Sequence, residues 1–176
     1  MEATVVISHV LSEDDISLDL VTKGKRSVLS KIAARIAHRS GLDEQRILVG
    51  LLRRERLGST SVGHGVAIPH ARLDIVSSPV ASLTRLARPI DFGNPDDDPV
   101  DLLFTVLWPE SALGTFLPAL AQACRLFRSS RIRDGLRQAQ STDEVLAILA
   151  TEQEPTVSTS PLRTPFSAAS LRCCNA

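Results

Sequence analysis

The sequence predicts a single α/β domain, with helices covering a central sheet, followed by a disordered tail. Three observations carry this. Segments with apolar residues at three- and four-residue spacing (27–38, 43–57 and 113–127) interleave with short apolar or alternating runs (16–21, 66–68, 80–86 and 100–108). At 176 residues and 43% hydrophobic composition, the chain suffices for one well-cored domain and is too short for two comfortable ones. Past Glu152 the sequence turns to Ser, Thr and Pro without a core-forming period, so the domain is placed at 1–152 and a mostly disordered tail at 153–176.

Taken in order, residues 4–11 (TVVISHVL) leave a short helix and an edge strand open, with His9 structural. In ISLDLV, Ile16, Leu18 and Leu20 alternate with polar residues, the period of a half-buried strand. Gly24 makes a turn. Val28, Leu29, Ile32, Ala33, Ile36 and Ala37 then form one face of a helix over Ser27–His38, ended by Gly41, with His38 near its C-terminal turn in a structural role. Asp43 caps a second helix that buries Ile47, Leu48, Leu51 and Leu52 and stops at Gly58, delivering Arg54 and Arg56 at its C-terminal end.

Val66 to Ile68 reads as a buried strand stopped by Pro69, followed after His70 by a turn or loop with Ser77, Ser78 and Pro79. Val80–Leu86 reads as a strand, the stretch IDFGNPDDDP as a loop, and VDLLFTVLW (100–108) as a central strand. Consecutive aspartates do not point the same way, so Asp96–Asp98 is taken as a solvated turn, not a metal site. Leu113–Phe127 has helical spacing, with Pro118 tolerable only near the start; Ile132–Ala139 suggests a short helix. Ser141 to Glu144 forms a capping box for a last helix.

Composition narrows the function classes. No stretch approaches the roughly 18 to 20 apolar residues that span a bilayer, and the N-terminus has no basic region ahead of an apolar one; a soluble, unexported protein without membrane insertion is expected. Cys124, Cys173 and Cys174 form neither a disulfide framework nor metal-ligand spacing, which suits a reducing cytoplasm. The terminal CCNA is a chance likeness to a prenylation box. Net charge is zero, yet between Lys23 and Arg56 ten Lys/Arg face three Asp/Glu, an excess of seven. Solvated helix faces explain this, and an electropositive surface around a phosphate site or partner patch stays open. With no Tyr, one Trp and five Phe, there is little to stack on bases, so nucleic acid is not the expected partner.

The stretch that organises the chain is RERLGSTSVGHGVAIPHARL, residues 54–73. Gly58, Gly63 and Gly65 with Ser59, Thr60 and Ser61 make a tight loop able to present backbone N–H groups. Pro69 pushes Ile68 to extended geometry, so His70 is expected where the strand leaves the sheet. A neutral imidazole is nucleophilic near neutral pH and its P–N bond is labile, so a histidine there suits reversible phosphate transfer. Such transfer needs positioning and charge neutralisation, which Arg54, Ser59, Thr60 and the loop amides offer if the fold brings the helix end over His70. Taken alone, a lone histidine after a strand is more often structural than a phosphate acceptor, and zinc ligation by His64 with His70 has no recognised spacing and no third ligand.

With these residues the sequence resembles the IIA domains of the phosphotransferase system of the fructose/mannitol type, and within them the nitrogen-regulatory enzyme IIA. The likeness continues through PVDLLFTVLWP, the helix near Leu113 and LRQAQSTDEVLAIL, about residues 5–150. It implies a mixed central sheet, a bacterial cytoplasmic protein, and phosphorylation of His70 by an HPr-like phosphocarrier (NPr in the nitrogen branch) fed from phosphoenolpyruvate. It further implies Arg54 as a mobile helper, regulatory target proteins read by phosphorylation state, and a phosphoryl carrier instead of a free-standing enzyme, with no cofactor or metal. The alternatives are a sugar-specific IIA subunit passing phosphate to a IIB domain, and a binding-only regulator that is not phosphorylated. One departure stands out. Relatives commonly carry a second active-site histidine in the segment that here reads Gly114-Thr115-Phe116-Leu117-Pro118, where Phe116 and Pro118 have no side-chain donor. His64 is the candidate substitute, against a plain loop-capping role, and with Gly65 it completes the expected loop support.

Overall fold

The computed structural model describes residues 10–93 and 98–151. His9, Asp96, Asp97, Cys173, Cys174 and the tail expected from 153 lie outside the described residues.

The elements are β1 Ile16–Leu20, α1 Lys25–Ser40, α2 Glu44–Arg56, β2 Ser61–Gly63, β3 Val66–Ala67, β4 His70–Leu73, β5 Val80–Ile90, β6 Val100–Pro109, α3 Leu113–Leu126, α4 Ser130–Gln138 and α5 Thr142–Thr151. They form a mixed sheet in the order β1-β5-β6-β3-β2, with β4 also paired to β6. Strand β6 is central because its side chains are apolar on both faces. Leu102, Phe104, Val106 and Trp108 pack under α3, α4 and α5, while Leu103 and Leu107 pack under α1 and α2. Full burial on both faces is why VDLLFTVLW shows no polar alternation.

Caps set the helix ends as the sequence implied. Asp43 accepts from Arg46 N at 2.8 Å, and Gly41 takes φ 71° at the end of α1. Glu144 N donates to Ser141 Oγ, but the reciprocal bond runs one residue earlier, from Gln140 N to Glu144 Oε2.

Four expectations are corrected. First, β4 occupies His70–Leu73, where a turn was expected; four residues without an apolar run leave too little periodicity to see. Second, β5 continues through Pro89 to Ile90, because its register with β6 shifts between Arg85 and Ile90 and no ladder N–H is required of the proline. Third, α1 begins at Lys25, with Gly24 as its N-cap. Fourth, the glycine-rich loop is a hairpin, β2 antiparallel to β3, turning through His64 (φ 56°) and Gly65 (φ 77°).

Candidate functional site

The break between β3 and β4 creates the site. Both strands run parallel to β6 along one edge, Val66 and Ala67 opposite Leu102 and Leu103, and His70 opposite Val106. Pro69 has no N–H and interrupts the pairing, so His70 stands where pairing resumes, not where a strand leaves the sheet. Its ring folds back and its Nδ1 lies 2.8 Å from the Ile68 carbonyl oxygen, an acceptor, so Nδ1 carries the proton. Arg54 Nε donates to His70 Nε2 at 2.9 Å, and an N–H donor requires a lone pair there. Both bonds select the same neutral tautomer.

Neighbours keep it neutral. Burial pushes the His70 pKa below its usual value of 6.5, and the Arg54 charge adds to this; the Ile68 carbonyl and Glu55 oppose it without prevailing. The apolar wall comes from α3, whose Phe116 ring centroid is 5.7 Å from that of His70 and which packs in turn on Trp108. Phe116 is thus the side chain that α3 presents to His70.

Arg54 belongs to the last turn of α2 and is half-buried; its Nη1 donates to Gly58 O at 3.0 Å. Close seating of α2 on β4 brings it over His70. A Cβ on Gly50 would lie 2.7 Å from Leu73 Cδ2 and 3.3 Å from the Ala71 Cβ, so glycine permits that approach. The following turn is held by Glu55, a buried carboxylate that accepts from Thr60 N, from Thr60 Oγ1 at 2.6 Å and from Lys25 Nζ at 3.0 Å. Sequence reasoning passed over Glu55. An acid in the last turn of a helix opposes the macrodipole, and that was the signal that it has specific partners.

The structure brings together His70 and Arg54 but not the rest of the expected loop support. The Thr60 hydroxyl is committed to Glu55, and the Ser59 hydroxyl donates to Phe92 O. His64 and Gly65 lie at the far end of the edge. Asp101 N bonds Gly65 O while His70 is opposite Val106, five residues on, which at about 3.3 Å per residue puts the hairpin turn about 16 Å away. His64 N donates to Asp98, and the His64 carbonyl accepts from Arg137, itself paired with Asp101 at 2.8 Å. His64 therefore acts as a turn residue and does not replace a second active-site histidine. A cleft of about 800 Å³ opens beside His70, walled by α2, β4 and the start of α3, and none of residues 59–65 lines it. No group of three metal-ligating side chains is present among the described residues. No helix among them is long and apolar enough to cross a membrane.

With this geometry in view, residues 9–152 match the family model described as phosphoenolpyruvate-dependent sugar phosphotransferase system, EIIA 2. The chain belongs to this family. It is 38% identical over 144 residues to the nitrogen regulatory protein of Bradyrhizobium diazoefficiens, covering 82% of this chain and 94% of that one. Identity to the nitrogen regulatory protein of Pseudomonas aeruginosa is 39% over 130 residues, 73% of this chain and 84% of that one. The crystal structure of nitrogen regulatory protein IIA-Ntr from Neisseria meningitidis superposes with a TM-score of 0.77 at 35% identity, covering 81% of this chain and 98% of that one.

Proposed function

We propose that this EIIA-family chain is a phosphoryl acceptor and regulator, in which His70 Nε2 takes a phosphoryl group from the phosphohistidine of an HPr-like carrier protein. The observation that carries the reading is the pair of bonds on one imidazole. Nδ1–H is tied to the Ile68 carbonyl, leaving the Nε2 lone pair on the cleft side under Arg54.

The step follows from that tautomer. The Nε2 pair attacks phosphorus and forms the new P–N bond, while the donor's P–N bond breaks and its electron pair returns to the donor imidazole. No proton leaves Nε2. The positive charge that develops on the ring is shared through Nδ1–H with the Ile68 carbonyl, and Arg54 moves from the lone pair to the phosphoryl oxygens. Arg54 and His70 are the catalytic residues of this reading. Glu55 and Thr60 are positioning residues that fix the turn after Arg54.

Because relatives carry the name nitrogen regulatory protein, the reading extends to regulation: target proteins distinguish the two states by the roughly −1.5 to −2 charge added at the cleft. One observation favours a second reading, a regulator that binds without modification, since Phe116 offers no donor to a phosphoryl group.

The test is transfer of labelled phosphate from phosphoenolpyruvate, through enzyme I and the carrier, to the wild type and to His70→Ala. Acid-labile, alkali-stable label on the wild type alone supports the acceptor. Absence of label from an active cognate carrier leaves the unmodified regulator.

A further inference from the structure

Away from His70, a second cavity of about 390 Å³ opens between α1 and the β1–β5 edge of the sheet. Across it, Ser17, Leu20 and Thr84 of the strands face Lys31, Ile32 and Arg35 of the helix. It shares no lining residue with the cleft beside His70, and three strand spacings of about 4.8 Å separate β1 from β4, so what it binds is independent of the acceptor reading.

The sheet side offers hydroxyls. Ile16 and Leu83 belong to the core under α3, α4 and α5, so their neighbours Ser17 and Thr84, opposite each other in the β1–β5 register, turn toward α1. Ser17 is 8% exposed and Thr84 1%, and neither hydroxyl has a hydrogen-bond partner among the described residues. Ser82, on the same face of β5, shows how such a group is satisfied within the fold: its Oγ donates to Asp15 O at 3.1 Å. A buried hydroxyl without a partner costs stability, and here two stand side by side on the wall of one cavity.

The helix side supplies charge. Lys31 and Arg35 lie one turn apart on α1, which has no acidic residue. Lys31 Nζ donates to Val21 O at 2.8 Å, and Arg35 Nη2 donates to Ile16 O at 2.9 Å and to Asp14 O at 3.2 Å. These bonds hold both side chains along β1 and leave Nε and Nη1 of Arg35, with the remaining ammonium hydrogens of Lys31, free to donate. Neither cation has an ion-pair partner among the described residues, and the carboxylates of Asp15 and Asp19 are taken by Arg39 and Arg85.

Two cations and two hydroxyls without a carboxylate among them select an anion, while Leu20, Ile32 and Ala34 select one with a hydrocarbon body. No aromatic side chain is among the described lining residues, so a nucleotide base finds nothing to stack on. We propose that this cavity binds a small aliphatic carboxylate. Its oxygens accept from Lys31 and Arg35 on one side and from Ser17 and Thr84 on the other, and its hydrocarbon body covers Leu20 and Ile32. Inorganic phosphate meets the same donors but leaves the apolar wall bare.

The test is titration of the ¹⁵N-labelled full chain with isovalerate, followed by ¹H–¹⁵N NMR, with isovaleramide and inorganic phosphate as comparison probes. Isovalerate should shift the amides around Ser17, Leu20, Ile32 and Thr84 saturably, with a Kd of about 1 mM or tighter. Isovaleramide, the same body without the charge, and phosphate, the charge without the body, should each bind about tenfold more weakly or worse. Arg35→Gln should weaken isovalerate about tenfold, and Thr84→Val, nearly the same shape without the hydroxyl, about fivefold. Because Thr84→Val removes a buried hydroxyl that no protein group satisfies, its urea midpoint should equal or exceed that of the wild type. No saturable shift by about 20 mM isovalerate overturns the site. Equal affinity for phosphate or for isovaleramide overturns the carboxylate class. Unchanged isovalerate binding by Thr84→Val, or a lower urea midpoint, overturns the place given to its hydroxyl.

Discussion

Replacing Arg54 by Gln separates the account from a merely structural histidine. In the wild type the guanidinium Nε–H rests 2.9 Å from the attacking nitrogen, and Nη1 is braced on Gly58 O. During transfer the same group meets a phosphoryl unit carrying about two negative charges. A hydrogen bond to a charged group contributes about 1.5–3 kcal/mol, and partial exposure of Arg54 argues for the lower half of that range. About 2 kcal/mol corresponds to about a thirtyfold fall in kcat/KM. Rapid-quench transfer from the labelled carrier measures it, and Arg54→Lys, which keeps the charge without the fork, should recover part of the loss. The variant also removes a positive charge that lowers the His70 pKa, so its titration midpoint by NMR should move up. A kcat/KM within twofold of wild type, with an unmoved midpoint, would refute the role given to Arg54.

Other outcomes follow from the same geometry. Since the folded His70 pKa lies below its ordinary value of 6.5, the folded state binds fewer protons than the unfolded state in the window beneath 6.5. Stability from this group is therefore fully present above 6.5 and is lost as pH falls through the folded pKa; urea unfolding across pH should show it, with a flatter profile for His70→Asn. Transfer should hold its rate from pH 8 to about 6.5, and a midpoint above 6.5 in stopped-flow assays would contradict the desolvated imidazole. Phe116→Ala opens the apolar wall, so the His70 pKa should rise toward 6.5 in an NMR titration. Glu55→Ala leaves Thr60 N and Oγ1 without their acceptor in a buried turn, and denaturant unfolding should show a loss of about 2–3 kcal/mol. Gly50→Val forces α2 away from Leu73 and Ala71; a loss of about 1–3 kcal/mol with slower transfer is expected from calorimetry and the transfer assay.

The sequence disclosed the long elements because each carries a strong period or a cap. The repeat in α1, Asp43 at α2 and the prolines bounding β6 are local signals, and the structure agrees with them within a few residues. The short strands were hidden for the opposite reason. β2 and β4 have three and four residues and no apolar run, and the pairing of β4 is dictated by β6, about 35 positions along the chain, whereas β3 was legible from Val66 to Ile68. At the site, His70 was legible because Pro69, which has no N–H to give, marks a break in the short edge strand directly before it. Its Nδ1 partner could be anticipated as a backbone carbonyl but not as Ile68, which depends on the ring folding back over the break. Ser59 and Thr60 misled because a hydroxyl near glycines suits a phosphate and a buried glutamate equally, and only packing shows that Glu55 has claimed Thr60. His64 misled through proximity in sequence, since six residues along an extended edge are a long way in space.

The central claim is tested most directly by locating the phosphoryl group on the ring. The protein, labelled with ¹⁵N in histidine and phosphorylated by its carrier, would be studied by ³¹P and long-range ¹H–¹⁵N NMR. The account predicts one phosphohistidine, with phosphorus on Nε2 of His70 and a proton retained on Nδ1 against the Ile68 carbonyl. Phosphorus on Nδ1, or on another histidine, would contradict it.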